Sequence, residues 1–221
     1  MILYDFLMFS YQLAIRLASL WNPKAKKWVE GRKNNEAFQF KQKTIWIHCA
    51  SLGEFEQGRP VLEKIKMEYP HYPVVLSFFS PSGFEIRKNY PGADKIIYLP
   101  LDTSKNAKQL ISQINPAIVL WVKYDYWYHF LTTLKKKNIP LLLVSGIFRK
   151  EQLFFKLYGG FWRKMLSSFT EIFVQNQSSA DLLKSIGFKE NITLSGDTRF
   201  DRVIDIAKKK RNCLAHTIFH K

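Results

Sequence analysis

The sequence contains little cysteine. Cys49 and Cys213 are the two cysteines among 221 residues, which is too few for a disulfide framework. The first residues do not have the pattern of a cleavable signal peptide, and no group of histidine, cysteine and acidic residues has the spacing of a metal site. The sequence therefore argues against a secreted, disulfide-stabilised domain and favours a reducing cytoplasm.

Acidic residues are also scarce. There are 18 of them against 34 lysines and arginines, which gives a formal net charge of +16 at pH 7. A basic surface attracts nucleic acid, anionic lipid or phosphorylated substrates, and charge alone does not choose among them. Lysine-rich stretches at 134–138 and 208–212 lack a helix-turn-helix, zinc-ligand spacing or an aromatic RNA-binding signature. We therefore expect no nucleic-acid partner, and a basic nucleic-acid-binding protein is the more distant alternative.

One long apolar stretch begins the sequence. Residues 1–21 are mostly apolar, but Asp5, Gln12 and Arg16 interrupt them, which argues against a membrane-spanning helix at this borderline length. Basic residues follow at once, namely Lys24, Lys26, Lys27, Arg32 and Lys33. Apolar bulk beside lysines is typical of a helix that lies on an anionic membrane surface. We predict such an anchor helix with a basic connector over residues 1–34; the alternative is an ordinary amphipathic core helix.

From residue 44 onwards, short β-rich runs alternate with helical stretches. The predicted strands are 44–50, 73–79, 95–100, 117–122, 139–145, 171–176 and 191–196. The predicted helices are 54–69, 82–89, 104–114, 125–137, 151–168, 178–186 and 199–210. Several runs, such as 141–144, lack polar alternation, which is typical of strands covered on both faces. The pattern predicts an α/β fold with a doubly wound parallel sheet over residues 35–205, followed by a basic tail at 206–221.

Ligands of such sheets bind beyond the carboxyl ends of the strands, where Glu54 is found. The segment Ser51-Leu52-Gly53-Glu54 follows the first strand and opens a helix. It fits a capping box, in which Ser51 caps the helix and Glu54 bonds back to the Ser51 backbone N–H, and taken alone this is the commoner arrangement. The functional alternative is that Glu54 faces the crevice as a base, with Gly53 allowing a substrate close to the backbone. On the strand itself, His48 is expected to be a satisfied core histidine.

Three further turns follow predicted strands. Ser82 and Gly83 lie in a turn whose helix N-terminus suits a phosphate or carboxylate, although an ordinary N-cap is the commoner arrangement. Lys123 and Asp125 begin a segment rich in polar aromatics, where Asp125 is either a helix N-cap or a site residue. Arg199 follows the last strand, where it either binds negative charge or pairs with a nearby aspartate.

Several of these segments together resemble one enzyme family. They are HCASLGEFEQGRPV (48–61), the aromatic turn with Trp127, LVSGIFRK (143–150), IFVQNQSSADLLKSIG (172–187) and SGDTRFDRV (195–203), and they occur in this order. The chain resembles the lipid A Kdo transferases, the 3-deoxy-D-manno-octulosonic acid transferases of Gram-negative envelopes, over nearly its whole length. The resemblance implies a Rossmann-like domain, the N-terminal half of a glycosyltransferase B fold.

The resemblance also implies a reaction and the residues that perform it. The reaction is an inverting transfer of Kdo from CMP-Kdo to a hydroxyl of the lipid A precursor lipid IVA, with no cofactor besides the donor substrate. Glu54 matches the family's general base, and Asp125 and Arg199 match residues that stabilise the transition state. The substrate-binding residues expected beside them are Ser51, Gly53, Ser82, Gly83, Lys123 and Arg149. The expected partners are a phosphorylated glycolipid acceptor and an anionic membrane, at the cytoplasmic face of the inner membrane.

The chain departs from the family in three respects. Where the family often has an acidic pair before its tryptophan, this chain has Lys123 and Asp125, so one acid remains. Arg199 replaces the family's usual lysine and keeps its positive charge. Family members are roughly twice as long, and we expect CMP-Kdo to bind mainly through a C-terminal domain that is missing here. We therefore expect the chain as given to bind acceptor and membrane but to transfer little or no sugar; a truncated, inactive acceptor-binding module is the nearer alternative.

Overall fold

A computed structural model describes residues 2–33 and 37–196 of the chain. In this part of the chain, seven parallel strands form one sheet in the order β3-β2-β1-β4-β5-β6-β7. The strands are β1 (Thr44–Cys49), β2 (Val74–Phe78), β3 (Lys95–Tyr98), β4 (Pro116–Val122), β5 (Leu141–Gly146), β6 (Glu171–Val174) and β7 (Ile192–Leu194). Each overlaps one of the predicted runs, so the predicted parallel α/β sheet is confirmed.

Helices cover both faces of the sheet. The first two crossover helices, α3 (Leu52–Glu68) and α4 (Pro81–Arg87), pack on one face. The other face is covered by α5 (Ser104–Ile114), α6 (Tyr128–Lys136), α7 (Gly160–Leu166) and α8 (Gln177–Ser185). Because the sheet lies between two helical layers, every residue of β1, β2, β5 and β6 is buried, which explains their unbroken apolar runs.

The direction of the chain reverses between β1 and β4. From β1 the chain builds outward through β2 to β3, and after α5 it returns to the other side of β1 as β4. Cys49, the last residue of β1, lies beside Phe78 of β2 and Val122 of β4. The crossovers leave β1 and β4 towards opposite faces of the sheet, so a crevice opens beyond the carboxyl ends of these two strands.

Two predicted helices differ from the observed ones. The helix predicted over 125–137 begins at Tyr128. The helix predicted over 151–168 is a 3₁₀ turn at Leu153–Phe155 followed by α7. Gly159 separates the two, because a Cβ at this position would lie 2.2 Å from the Leu153 carbonyl oxygen. The helix predicted over 199–210 and the basic tail at 206–221 lie outside the described residues.

Two helices precede the sheet. In α1 (Ile2–Ala18) no residue is fully buried, although Tyr4 packs against the buried cluster, so the anchor helix and the core-helix alternative both stay predictions. The basic stretch expected to be a connector is a second helix, α2 (Pro23–Lys33), which begins where the Asn22 side chain accepts hydrogen bonds from the N–H groups of Lys24 and Ala25. Within residues 2–33 and 37–196, none of the helices has the length and apolarity needed to cross a bilayer.

Candidate active site at the switch point of the sheet

Glu54 lies in the first turn of α3, directly beyond the carboxyl end of β1. Ser51 occupies the N-cap position, but its side chain makes no capping hydrogen bond; its hydroxyl donates instead to the Glu54 carboxylate. The expected reciprocal capping box is therefore wrong, although the N-cap position is confirmed. Glu54 is half-buried, and the neighbouring Gly53 is exposed, with Ser51 Oγ 3.8 Å from the position that a Cβ would take.

The turns that hold Glu54 and Asp125 lie beyond the carboxyl end of the sheet, where Cys49 is the last residue of β1. Burial raises the pKa of Cys49 well above its usual value, and the negative charges of Glu54 and Asp125 raise that pKa further. Glu54 follows β1 and Asp125 follows β4, and these two parallel strands are neighbours in the sheet. The turns after β1 and β4 thus bring two acidic side chains to one crevice.

Asp125 is held by aromatic side chains and does not cap a helix. Trp127 Nε1 donates to Asp125 Oδ2 at 3.2 Å, and Trp121 Nε1 donates to the main-chain carbonyl of Asp125 at 2.5 Å. His48 Nε2 lies 3.5 Å from the same Oδ2 atom, and the Asp125 side chain is 21% exposed. The N-cap alternative is wrong, since Trp127 takes that position in α6.

Another carboxylate, that of Asp102, satisfies the start of α6. The N–H groups of His129 and Phe130 donate to Asp102 at 2.9 Å each, and the Tyr4 hydroxyl donates to it at 2.6 Å. Burial raises the pKa of Asp102, and these hydrogen bonds oppose the rise. Local sequence could not reveal this cap, because Asp102 precedes α6 by a whole helix and a strand. With α6 capped from elsewhere, Asp125 is available to the crevice.

Of the two site residues predicted after β2, Ser82 lies at the surface and Gly83 lies in the interior. Ser80 caps α4 by accepting a hydrogen bond from the Ser82 N–H, so the ordinary N-cap is confirmed. Ser82 is exposed. Gly83 is buried against the ring of Phe78, where a Cβ would lie 2.3 Å from Cδ1. Close packing explains the glycine, and substrate contacts by Ser82 and Gly83 stay predictions.

The ends of β4 and β5 have unusual backbone conformations. Lys123 and Ser145 both have φ near +60°, a backbone conformation that residues other than glycine rarely adopt. Such strained backbone conformations are frequent at functional sites. Lys123 places its Nζ 5.4 Å from the ring centre of Tyr124. Arg149, after β5, is exposed. Arg199 lies outside the described residues, so its role stays a prediction.

Arg32 of α2 is a residue whose importance the sequence did not reveal. Its guanidinium donates to the carbonyls of Phe79 at 2.7 Å and Leu99 at 2.9 Å, beyond the ends of β2 and β3. It also lies 3.7 Å above the ring of Trp28, and the ring of Phe79 contacts Trp127 at 4.6 Å. Arg32 therefore links α2 to the residues that follow β2 and β3, beside the crevice.

Solved structures share this architecture. A UDP-GlcNAc 2-epimerase from Neisseria meningitidis bound to UDP-GlcNAc matches 78% of this chain and 54% of its own with a TM-score of 0.54 and 13% identity. The UDP-N-acetylglucosamine 2-epimerase from Rickettsia bellii matches 76% of this chain and 48% of its own with a TM-score of 0.52 and 13% identity. At such identities the likeness shows the fold alone. The class of fold is therefore a doubly wound, Rossmann-like α/β domain.

Similarity of the amino-acid sequence to known proteins identifies the family of the chain. Residues 22–202 match the family model described as 3-deoxy-D-manno-octulosonic-acid transferase (kdotransferase), and the chain belongs to this family. A bifunctional glycosyltransferase/methyltransferase of Fusobacterium nucleatum is 25% identical over 90% of this chain and 33% of its own length. The 3-deoxy-D-manno-octulosonic acid transferase of Chlamydophila psittaci is 24% identical over 89% of this chain and 48% of its own length. The chain thus spans between a third and a half of the length of these curated relatives.

Proposed function

We propose that the chain is the acceptor-binding part of an inverting glycosyltransferase that moves Kdo from CMP-Kdo to lipid IVA in lipopolysaccharide synthesis. Family membership supports the enzyme class. The arrangement of Glu54 and Asp125 in the crevice supports the placing of the acceptor at the carboxyl ends of β1 and β4. The named relatives extend well beyond the matched segment, so the complete reaction is proposed for the whole enzyme.

Glu54 is the general base of the proposed reaction. It takes the proton from an acceptor hydroxyl while that oxygen bonds to the anomeric carbon of Kdo, and the bond from this carbon to the CMP phosphate breaks on the opposite face. The Ser51 hydroxyl, which donates to the carboxylate, orients it for this transfer. A positioned base of this kind contributes about 10²- to 10⁴-fold in rate.

The other charged groups have complementary roles in the proposal. The negative charge of Asp125 lies near the sugar carbon as positive charge develops there in the transition state. Lys123 and the exposed Arg149 border the same edge of the sheet, where cations can bind the phosphates of the acceptor. Arg199, which follows β7 in the sequence and lies outside the described residues, is proposed to stabilise the departing phosphate.

We also propose that α1 rests on the cytoplasmic face of the inner membrane. Its exposed apolar side chains are those of Ile2, Leu3, Phe6, Leu7, Phe9, Leu13 and Leu17. Lysines of α2 follow directly, and apolar residues beside basic ones suit an anionic leaflet. This position would bring the crevice to an acceptor that is itself embedded in the membrane.

The single observation that supports the proposal most strongly is the placement of Glu54. It is half-buried, it accepts a hydrogen bond from the Ser51 hydroxyl, and it follows β1, the neighbour of the strand that Asp125 follows. A carboxylate that served only the helix would bond to backbone N–H groups of its own first turn. In the proposal, the carboxylate faces the crevice.

The test compares Glu54→Gln with Glu56→Gln, two residues apart on α3. Glu56 is exposed and pairs with Arg59 and Arg87 on the outer surface, so its substitution is the matched control. We expect Glu54→Gln to lower transfer of Kdo from CMP-Kdo to lipid IVA by about 10²-fold or more while acceptor affinity changes little. Glu56→Gln should leave both quantities unchanged.

Two outcomes would count against the proposal. Equal activity of Glu54→Gln and the unaltered protein would remove Glu54 as the base. Acceptor binding without any turnover by the whole enzyme would favour the alternative of an inactive acceptor-binding module.

A further inference from the structure

The imidazole of His48 is buried, and only one of its two nitrogens has a hydrogen-bond partner. Nδ1 lies 2.8 Å from Ser77 Oγ. Nε2 has no hydrogen-bond partner among the described residues, and it lies 3.5 Å from Asp125 Oδ2. The ring packs against Trp121 with 4.2 Å between the ring centres. His48 is therefore held in place with one nitrogen pointing at the site carboxylate, and the expectation of a fully satisfied core histidine is wrong for that nitrogen.

The neighbours of His48 determine which nitrogen carries the proton. Trp46 Nε1 can only donate, and it donates to Ser77 Oγ at 2.8 Å. The Ser77 hydroxyl then needs an acceptor for its own proton, and His48 Nδ1 is the acceptor at hydrogen-bond distance. Nδ1 is consequently unprotonated in the neutral ring, and Nε2 carries the hydrogen that faces Asp125.

The serine, histidine and aspartate do not form a nucleophilic triad. Ser77 is fully buried in the interior of β2, so no substrate carbonyl can approach its oxygen. That oxygen also accepts the Trp46 indole hydrogen. A triad serine is exposed and gives its proton to the histidine as it attacks. The contacts run from Trp46 through Ser77 and His48 to Asp125, which is the partly exposed residue at their end. Their role must therefore be to hold Asp125.

We propose that His48 is a positioning residue whose Nε2–H fixes the Asp125 carboxylate in the crevice. The two donors near this carboxylate, His48 Nε2 and Trp127 Nε1, both face Oδ2. In the proposal, these donors hold Oδ2, and Oδ1 is the oxygen offered to the substrate. Trp46, Ser77 and His48 together connect the sheet interior to that carboxylate.

This inference deepens the proposed function and rests on it for the identity of the substrate. A sugar hydroxyl or a carbon with developing positive charge needs a carboxylate oxygen at a fixed position. A carboxylate on a loop rotates freely unless donors hold one of its oxygens. Asp125 follows a strand end and belongs to no helix or strand, so donors from neighbouring elements must provide its fixed orientation.

The first experiment measures the tautomer of His48 in the unaltered chain and needs no activity. Chains labelled with ¹⁵N-histidine are examined by two-bond ¹H–¹⁵N NMR, and His48→Gln assigns the signal. We expect the Nε2–H tautomer. We also expect Asp125→Asn to shift the His48 Nε2 and Trp127 Nε1 signals and to leave that of Trp46 Nε1 in place.

A control substitution uses the other close histidine–aspartate pair. Asp5 Oδ1 lies 2.6 Å from His129 Nε2, so Asp5→Asn should shift the His129 signal and leave His48 unaffected. An Nδ1–H tautomer of His48, or a His48 signal that does not respond to Asp125→Asn, would overturn the proposal.

The second experiment uses two substitutions to distinguish the contributions of Nδ1 and Nε2 of His48 to activity. His48→Gln keeps an N–H near the position of Nε2, whereas His48→Asn keeps an acceptor near Ser77 and removes the donor to Asp125. We expect His48→Asn to lower the kcat of Kdo transfer by about 10²-fold and His48→Gln to lower it by less than about tenfold, with thermal unfolding reported for both.

Equal losses in the two variants, at equal thermal stability, would overturn the positioning role. Because the complete reaction is proposed for the whole enzyme, kcat is measured there, and a complete absence of transfer by the whole enzyme would instead contradict the proposed function. In that case the NMR experiment still decides whether His48 holds Asp125.

Discussion

At the scale of single residues, Arg32 shows how a cation can be buried without a carboxylate. Burial lowers the pKa of the Arg32 guanidinium to about 9, so the group remains charged at neutral pH. Main-chain carbonyls of Trp28, Phe79 and Leu99 accept its hydrogen bonds, and aromatic rings lie over its plane. Arginine is the residue that can make all these contacts at once, because its planar guanidinium has five N–H donors in a fixed fork.

Replacing Arg32 with lysine should therefore destabilise the chain even though the charge is kept. The ammonium group cannot reach both strand-end carbonyls, and one of them loses its partner. We expect Arg32→Lys to lower the free energy of unfolding by about 2 kcal/mol, measured by urea denaturation. Arg59→Lys is the matched control, because Arg59 forms a solvent-exposed pair with Glu63, and such surface pairs contribute little to stability. Equal effects of the two substitutions would contradict this account of Arg32.

At the scale of elements, α3 lies very close to the sheet because of a glycine. A Cβ on Gly58 would lie 2.9 Å from Val122 Cγ2 and 3.5 Å from Cys49 Sγ. Gly53, one and a half turns earlier, has Ser51 Oγ as its nearest neighbour at 3.8 Å. The same helix thus has one glycine that packing requires and another that faces open space beside Glu54.

The two glycines should respond oppositely to alanine. Gly58→Ala should lower the free energy of unfolding by about 1–3 kcal/mol, because β-branched Val122 leaves no room for the methyl group. Gly53→Ala should raise it by up to about 1 kcal/mol, since alanine favours the helix. If substrate approaches the backbone at Gly53, the same variant should weaken acceptor binding. Denaturation curves and acceptor titrations measure the two effects, and a destabilised Gly53→Ala variant would show that the site there is packed.

Element positions were largely predictable from the sequence, and the contacts between elements were not. Apolar runs covered on both faces located the strands, and the strand order placed Glu54 and Asp125 at the switch point. The start of α6 was missed because its cap, Asp102, comes from a distant turn. The contact of His48 with Asp125 was missed for the same reason, since it joins β1 to the turn after β4. Such contacts depend on strand register, which sequence periodicity does not determine.

At the scale of the whole molecule, the excess of positive charge and the apolar surface of α1 support one mode of membrane binding. Phe6 and Phe9 of α1 are each 63% exposed. The polar side of the same helix is fixed to the domain, because Tyr4 donates to Asp102 and Asp5 pairs with His129. An apolar surface held rigidly on a basic domain can insert without unfolding the helix.

Vesicle flotation should detect this binding. The chain should float with vesicles that contain anionic lipid and should be released as salt rises above about 0.15 M, where charges are screened beyond about 8 Å. The double variant Phe6→Ser/Phe9→Ser should lower the partition coefficient by about tenfold or more. Met67→Ser, which changes an exposed apolar residue of α3, is the control. Unchanged flotation of the double variant would exclude α1 as the contact.

The most direct test of the account asks whether a phosphorylated glucosamine disaccharide binds where Glu54 and Asp125 meet. The sugar, prepared without long acyl chains, is titrated into ¹⁵N-labelled chain and followed by NMR. We predict saturable shifts of the Trp127 indole signal and of the amides of Gly53 and Lys123, with the amides of Asn115 and Asn138 at the opposite end of the sheet unchanged. Shifts confined to that opposite end, or no saturable shift near Trp127, would contradict the central claim.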